Sequence, residues 1–173
     1  ACWLANHTFT QSRIVAADVS EIAIHKGREL ATKNGRQTIT WEVTDIEAIS
    51  HPDHSFDTVI SCETIEHVPH PFIAIRELVR VLKVGGTLLL TVPNYLGTLG
   101  LYRLYLRLCG RRYTEAGQLI NNFTVLPLVA IWVKWAGCRL KSIDGVGHYL
   151  PCPRRPPIEI PIFNEPRILM RWM

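Results

Sequence analysis

Residues 77–94, ELVRVLKVGGTLLLTVPN, join the end of a predicted helix to an apolar strand, and this succession decides the fold class. Pro71 is suited to the first position of that helix. The apolar residues of the helix recur at helical spacing: Phe72, Ile75, Leu78, Val79 and Leu82. We expect Gly85 and Gly86 to end the helix. The following run, TLLLTVP, is continuously apolar, as in strands that are buried on both faces of a parallel sheet.

The first half of the chain alternates strand-like segments with helical or polar ones. Strands are predicted at 14–19, 38–44, 57–62 and 87–92. Ser20 is expected to cap a helix after the first of them. This alternation is typical of α/β proteins. It predicts a doubly wound, mostly parallel Rossmann-like sheet in which the four strands are adjacent and helices cover both faces.

The second half departs from this alternation. Residues 95–136 are helical in pattern and predict a helical insertion that acts as a lid, followed by a strand around 138–146. Residues 151–166 contain six of the eleven prolines and predict an extended segment.

Three arginines of the predicted lid, Arg103, Arg107 and Arg111, lie four residues apart on one helix face. Three interpretations remain open for this face. It grips an anionic substrate, it rests on an anionic membrane through residues 95–112, or it is a solvated helix surface.

Composition limits the classes of function. A chain of 173 residues suits one domain, here 1–173. Nineteen basic and fifteen acidic residues give a net charge of +4, too small and too scattered an excess to indicate a nucleic-acid partner. The five cysteines are odd in number and include no CxxC pair, which is typical of reduced thiols and predicts a cytoplasmic protein.

Four segments, VAADVS, VTDIEAI, SFDTVISCETIEHV and ELVRVLKVGGTLLLTVPN, resemble the class I S-adenosylmethionine-dependent methyltransferases in order and spacing over residues 14–94. The similar branch contains quinone-biosynthesis O-methyltransferases and natural-product or sugar methyltransferases. The most specific piece is LVRVLKVGG, with Val84 where the family usually has proline. Similarity to the family's helix and penultimate strand extends to about residue 147.

The resemblance implies a binding site for S-adenosylmethionine. In such sheets an acidic residue at the end of a strand accepts hydrogen bonds from both ribose hydroxyls, and Asp18, followed by Val19, stands at that position. Asp45 and Ile46 correspond to the residues that receive the adenine amine and ring. The end of the next strand, from Cys62 onward, is expected to border the methyl donor. Taken without the resemblance, Asp18 and Asp45 are equally typical of turns.

The stretch SCETIEHVPHP, residues 61–71, allows three interpretations. His67, oriented by Glu66, is a general base that takes the proton of an acceptor hydroxyl. Alternatively Glu63, Glu66 and His67 hold a divalent metal such as Mg²⁺, as in some O-methyltransferases of similar pattern. In the third interpretation these residues only end a strand and begin a helix.

The family's glycine-rich GxGxG loop is expected just before residue 1, and its last antiparallel strand after residue 173. The chain is therefore interpreted as the middle and larger part of a methyltransferase domain, acting on an oxygen of a small or lipid-like acceptor. A catalytically inactive methyltransferase-like binding module is the alternative. A different nucleotide-binding domain, such as a dehydrogenase, is disfavoured by VLKVGG before an apolar strand.

Overall fold

The computed structural model describes residues 12–35, 39–95, 98–111, 114–115, 118–119, 122, 124–145, 149–150 and 158–159. The chain forms two compact units, residues 1–50 and residues 51–173. Most of the predicted proline-rich segment, 151–166, lies outside the described residues. The assignment of 1–173 to a single methyltransferase domain stays a prediction.

The first unit is a βαβ arrangement. It consists of strand β1 (Ile14–Asp18), helix α1 (Glu21–Lys33) and strand β2 (Ile39–Val43). The two strands pair in parallel, from Ile14 opposite Ile39 to Asp18 opposite Val43. The predicted cap is confirmed, because the Ala23 N–H donates to the Ser20 Oγ at 3.3 Å.

A small core joins the strands and the helix of this unit. Ala31 and Ile39 are buried, and three partly buried residues pack against them: Ile14, Ala16 and Trp41. Gly27 lies against the Trp41 ring so closely that a Cβ at this position would stand 2.3 Å from the ring. Glycine at this position therefore lets the helix approach the tryptophan.

The second unit begins with another βαβ arrangement. Its elements are strand β3 (Phe56–Cys62), helix α2 (Pro71–Val81) and strand β4 (Leu82–Thr91), and the strands again pair in parallel. Its buried apolar residues come from these elements, the turns that follow them and a later helix: Ile65, Ala74, Ile75, Leu78, Val81, Leu82, Leu88, Leu90, Tyr95, Val129 and Val133. The prediction of an α/β fold with parallel strands is thus confirmed.

The predicted end of helix α2 is wrong. The helix ends at Val81, and Leu82 is already extended, with φ −79° and ψ 133°. The backbone N–H of Ser55 donates to the Val81 carbonyl at 2.8 Å, and that of His54 to the Arg80 carbonyl at 3.0 Å. Because the preceding loop takes these carbonyls, the chain turns into the strand before it reaches the glycines.

Residues 83–86 bulge out of the ladder between β3 and β4. Phe56 pairs with Leu82 and Thr58 already pairs with Thr87, so one residue of β3, Asp57, stands opposite four residues of β4. Continuous pairing starts at Thr87, which is the predicted start of this strand. The glycine pair lies in the bulge.

Arg80 fixes the loop before β3 to the last turn of α2. Its Nε and one terminal nitrogen donate to the two carboxylate oxygens of Glu77, both at 2.8 Å. Its other terminal nitrogen donates to Asp53 Oδ1 at 2.7 Å and to the His51 carbonyl at 2.8 Å. The hydrogen bonds that Arg80 donates to Glu77 and then to Asp53 raise the pKa of the guanidinium further above its ordinary value.

In the rest of the second unit, the described residues form two helices and four short strands. They are α3 (Thr98–Leu108), β5 (Thr114–Glu115), β6 (Gln118–Leu119), α4 (Leu126–Trp135), β7 (Tyr149–Leu150) and β8 (Ile158–Glu159). β5 pairs with β6 and β7 with β8, both antiparallel. No helix in the described part of the chain is long and apolar enough to span a membrane.

The segment 95–136 does contain the predicted helices, while its function as a lid stays a prediction. The strand expected around 138–146 is wrong for residues 138–145, which form no strand. Leu140 and Ile143 instead line a small apolar cavity with Leu90 and the α4 side chains. These two apolar side chains, 37% and 42% exposed, give the segment a strand-like pattern without a ladder.

Candidate functional site

The carboxyl ends of β1 and β2 carry the acidic residues that the sequence assigns to cofactor binding. Asp18 ends β1 and Asp45 follows β2, and both are exposed. The Thr44 N–H donates to the Asp18 carbonyl at 3.0 Å, so the chain segments that carry the two carboxylates are hydrogen-bonded to each other. Ile46, beside Asp45, is half-buried, and Val19 is 73% exposed. The structure therefore brings these four residues to one edge of the β1–β2 pair.

Both aspartates also stabilise the turns that follow their strands. Asp18 Oδ1 accepts the Ser20 N–H at 2.8 Å, and Asp45 Oδ1 accepts the Glu47 N–H at 2.9 Å. This is the turn role that Asp18 and Asp45 would have without any cofactor. Since a carboxylate has about four acceptor sites, one such bond leaves each group able to accept a hydroxyl or an amine as well.

The carboxyl end of β3 forms the second candidate region. Cys62 ends the strand and is exposed. The next residue, Glu63, has a left-handed backbone with φ 47°, and its N–H donates to the Thr91 carbonyl at 3.1 Å. The His67 N–H donates to the Thr64 carbonyl at 3.0 Å and closes a turn. This turn carries the two residues proposed for catalysis.

Glu66 and His67 differ sharply in exposure. The Glu66 side chain is 1% exposed, and that of His67 is 27% exposed. His67 Nε2 lies 3.7 Å from Glu66 Oε1. The imidazole therefore has access to solvent, with a buried carboxylate directly behind it.

The predicted metal site is not supported by this geometry. Within the described residues, no three His, Cys, Asp or Glu side chains are grouped so that they could hold a metal ion. Glu63 is exposed, whereas Glu66 is buried in the turn. Glu66 lies beside His67, but Glu63 does not complete a group of three potential ligands with them.

Asn122 holds the turn that carries His67, and sequence analysis did not identify it. Its backbone N–H donates to the Glu66 carbonyl at 2.9 Å. Its side-chain amide donates to the Val68 carbonyl. An asparagine in a connecting segment is too common to be recognised from sequence as a partner of residues more than fifty positions away.

Thr124 connects the same segment to the end of β4. It is fully buried, and its hydroxyl donates to the Pro93 carbonyl at 2.7 Å. The Tyr95 N–H donates to the Thr124 carbonyl at 3.1 Å. Asn122 and Thr124 therefore link the chain that follows β3 to the chain that follows β4.

Arg103 differs from the other arginines of the predicted stripe. It is half-buried, its guanidinium lies 4.9 Å from the centre of the Tyr95 ring, and it donates to the Asn122 carbonyl at 3.4 Å. Arg107 and Arg111 are exposed. The three arginines therefore do not act as one face, since only Arg103 is linked through Asn122 to the turn that carries His67.

A family model described as a methyltransferase domain matches residues 1–90, which is more than half of the chain. The chain belongs to this methyltransferase family. The resemblance to class I S-adenosylmethionine-dependent methyltransferases is confirmed, and with it the expectation that the family cofactor is S-adenosylmethionine.

Curated methyltransferases share moderate identity with the chain. The ubiquinone/menaquinone biosynthesis C-methyltransferase UbiE of Hydrogenovibrio crunogenus is 35% identical over 44% of the chain and 31% of its own length. The ubiquinone biosynthesis O-methyltransferase of Xanthomonas euvesicatoria is 26% identical over 78% of the chain and 57% of its own length. The 27-O-demethylrifamycin SV methyltransferase of Amycolatopsis mediterranei is 26% identical over 79% of the chain and 49% of its own length. The chain thus spans about a third to somewhat more than half of the length of these relatives.

Solved methyltransferase structures share the fold. A crystal structure described as a methyltransferase (BH2331) from Bacillus halodurans C-125 superposes with a TM-score of 0.69 at 22% identity, over 82% of this methyltransferase chain and 61% of the other. A S-adenosylmethionine-dependent methyltransferase from Aquifex aeolicus gives a TM-score of 0.60 at 17% identity. The predicted Rossmann-like, doubly wound class is confirmed. The prediction that all four strands are adjacent is wrong, because β1 pairs with β2 and β3 pairs with β4 in two separate ladders.

Proposed function

We propose that the protein transfers the methyl group of S-adenosylmethionine to an oxygen of a small or lipid-like acceptor. The observation that carries this proposal is the turn after β3, where the accessible His67 imidazole has the buried Glu66 carboxylate 3.7 Å behind it. Histidine is suited to take a proton at neutral pH. A buried carboxylate beside it stabilises the imidazolium that forms.

In this proposal the acidic edge of the first unit binds the adenosine part of the cofactor. Asp18 accepts hydrogen bonds from the ribose hydroxyls, and Val19 lies beside it. Asp45 accepts the adenine amine, and Ile46 contacts the ring. The support is the exposure of both carboxylates at the carboxyl ends of parallel strands, where ligands of open α/β sheets bind. Cys62, which ends β3 and is exposed, is proposed to border the methyl donor.

The proposed reaction is an in-line displacement. When bound, the cofactor supplies a methyl group on a positively charged sulfur. His67 would take the proton of the acceptor hydroxyl, so that the oxygen could accept the methyl group that the bound cofactor would supply and a neutral sulfide would be left. Glu66 orients the ring and balances its new charge. No metal takes part in this proposal.

Oxygen is preferred to carbon as the acceptor atom because of how much of the chain the relatives match. The two O-methyltransferases align with 78% and 79% of the chain, whereas the C-methyltransferases align with 44% to 64% of it. The elements after β4 differ most between methyltransferases that share a fold, and they shape the acceptor pocket. A cytoplasmic location and the absence of a nucleic-acid partner stay predictions.

The test uses the intact protein that contains this chain, incubated with S-adenosylmethionine and a panel of phenolic acceptors. His67→Ala is expected to lower turnover by about 10²- to 10⁴-fold with little change in cofactor affinity. His70→Ala is the matched control, because His70 lies three residues away at the start of α2. Asp18→Ala is expected to weaken cofactor binding by about 1–3 kcal/mol in calorimetry.

Three results would contradict parts of this proposal. Full turnover of His67→Ala would show that His67 is not the general base. Loss of turnover on adding a chelator would support the metal hypothesis instead. Product analysis that places the methyl group on carbon would leave methyl transfer intact and replace the acceptor atom. Cofactor binding without turnover on any acceptor would favour the inactive binding module.

A further inference from the structure

Helix α3 exposes a continuous apolar face. The exposed side chains are Leu101, Leu104, Tyr105 and Leu108, with exposed fractions of 66%, 53%, 41% and 79%. Their spacing of three, four and seven residues places them on one side of the helix. The other side carries Gly100, which is buried, and Tyr102, Arg103 and Leu106, which are half-buried. The helix therefore turns its less apolar side toward the protein and its leucines toward solvent.

The surroundings of this face are positively charged. Residues 95–113 contain four arginines and no aspartate or glutamate. Arg107 is exposed next to the apolar face, and Arg111 is exposed just beyond the end of the helix. An exposed apolar stripe flanked by arginines is the pattern of helices that lie in the interface of a membrane with anionic lipids.

We infer that the exposed face of α3 docks on the surface of an anionic lipid bilayer. The leucines and Tyr105 enter the boundary between headgroups and acyl chains, while Arg107 and Arg111 contact lipid phosphates. The helix lies in the plane of the bilayer and does not cross it. This inference concerns a surface outside the turn that carries His67, and it does not depend on the proposed methyl transfer.

Charge decides between a lipid surface and a second copy of the chain. In a symmetric dimer through this face, the same surface patch of both copies would meet. The arginines of each copy would then border a patch that carries arginines as well, and the segment 95–113 offers no carboxylate to compensate them. A bilayer with anionic lipids supplies the missing negative charge and an apolar layer together.

The test measures co-sedimentation of the full chain with vesicles of phosphatidylcholine, with and without phosphatidylglycerol. We expect tighter binding to the vesicles that contain phosphatidylglycerol, and weaker binding as salt is added. Arg107→Gln should reduce the affinity for them by about five-fold. The double variant Leu104→Ser, Leu108→Ser should reduce it at least about ten-fold, because two apolar side chains no longer enter the bilayer.

Two variants serve as matched controls. Val84→Ser removes an apolar side chain that is 91% exposed on β4, and Arg28→Gln removes an exposed arginine of α1. Both should bind vesicles like the wild type, and circular dichroism should show that all variants are folded.

Several outcomes would overturn the inference. These are equal binding to both kinds of vesicle, no binding to either, or a double leucine variant that binds like the wild type. A dimer in sedimentation velocity that the leucine variants dissociate, without vesicle binding, would assign the face to a second copy of the chain instead.

Discussion

Replacing Gly86 with alanine should destabilise the second unit through steric conflict alone. A Cβ at this position would lie 2.9 Å from the Asp57 carbonyl oxygen and 2.9 Å from that of Lys83. It would also lie 2.8 Å from a methyl group of Leu82. The leucine can rotate away, but the two carbonyls belong to the backbones of the paired strands β3 and β4. To reach an ordinary contact of 3.4 Å, the backbones must separate by about 0.5 Å.

The expected size follows from two opposing effects. Overpacking of this kind costs about 1–3 kcal/mol. Replacing a glycine inside a strand gains at most about 1 kcal/mol, because the unfolded chain loses freedom. The net loss for Gly86→Ala is therefore about 1–2 kcal/mol in the free energy of unfolding, or roughly 2–8 °C in Tm for a chain of this size.

Gly85 provides the comparison, since its constraint is of another kind. Nothing lies within 4 Å of a Cβ placed there, but its φ is +80°. Asparagine tolerates a left-handed backbone better than alanine. Gly85→Asn should therefore be more stable than Gly85→Ala, whereas Gly86→Asn should be less stable than Gly86→Ala.

Urea unfolding followed by far-ultraviolet circular dichroism would measure all four variants. The reasoning is refuted if Gly86→Ala unfolds at the same urea concentration as the wild type. It is also refuted if asparagine is tolerated better than alanine at residue 86, because a larger side chain cannot relieve a steric conflict.

Two further predictions concern polar contacts of the second unit. The hydrogen bonds from Lys83 lower the pKa of the Asp57 carboxyl below its ordinary value of 3.8. The ionised carboxylate therefore stabilises the folded protein above pH 3.8, and this contribution is lost as the pH falls through the lowered pKa. In urea unfolding, Asp57→Asn should accordingly be less stable than the wild type at neutral pH, and the difference should disappear in acid; a constant difference would contradict this. Thr124→Val should lower the free energy of unfolding by about 0.5–1.5 kcal/mol in thermal unfolding, because the half-buried Pro93 carbonyl loses its donor, while Thr124→Ser keeps the hydroxyl and should lose less. Equal losses for valine and serine would show that packing, and not this hydrogen bond, matters at residue 124.

The strands β1, β2 and β3 were predictable from sequence because local composition determines them. β1, β2 and β3 begin and end within about one residue of the predicted bounds, since apolar, β-branched runs are followed by aspartates or other turn formers. The end of α2 was not predictable in this way. Leu82 fits the helical spacing and is buried as a strand residue, so its apolar character agrees with both elements. Only the hydrogen bonds from the loop at 54–55 decide between them.

The candidate site was predictable only in part, for a similar reason. His67 and Glu66 stand out in sequence as polar residues directly after a buried strand. Their different burial, and the position of Arg103, depend on Asn122, which is more than fifty residues from the turn in sequence. Contacts over such separations leave no periodic signal, so the arginine stripe looked uniform and the metal ligands looked convergent.

The left-handed backbone at Glu63 affects two properties of the protein, its thermal stability and the orientation of His67. A non-glycine residue with such a backbone typically costs about 1–2 kcal/mol relative to glycine. Glu63→Gly is therefore an obvious substitution for raising the thermal stability of the protein. The same substitution would free the joint between β3 and the turn at 64–67, and would let His67 sample more orientations. The restricted backbone that glutamate imposes at residue 63 thus limits the orientations that the His67 imidazole can adopt.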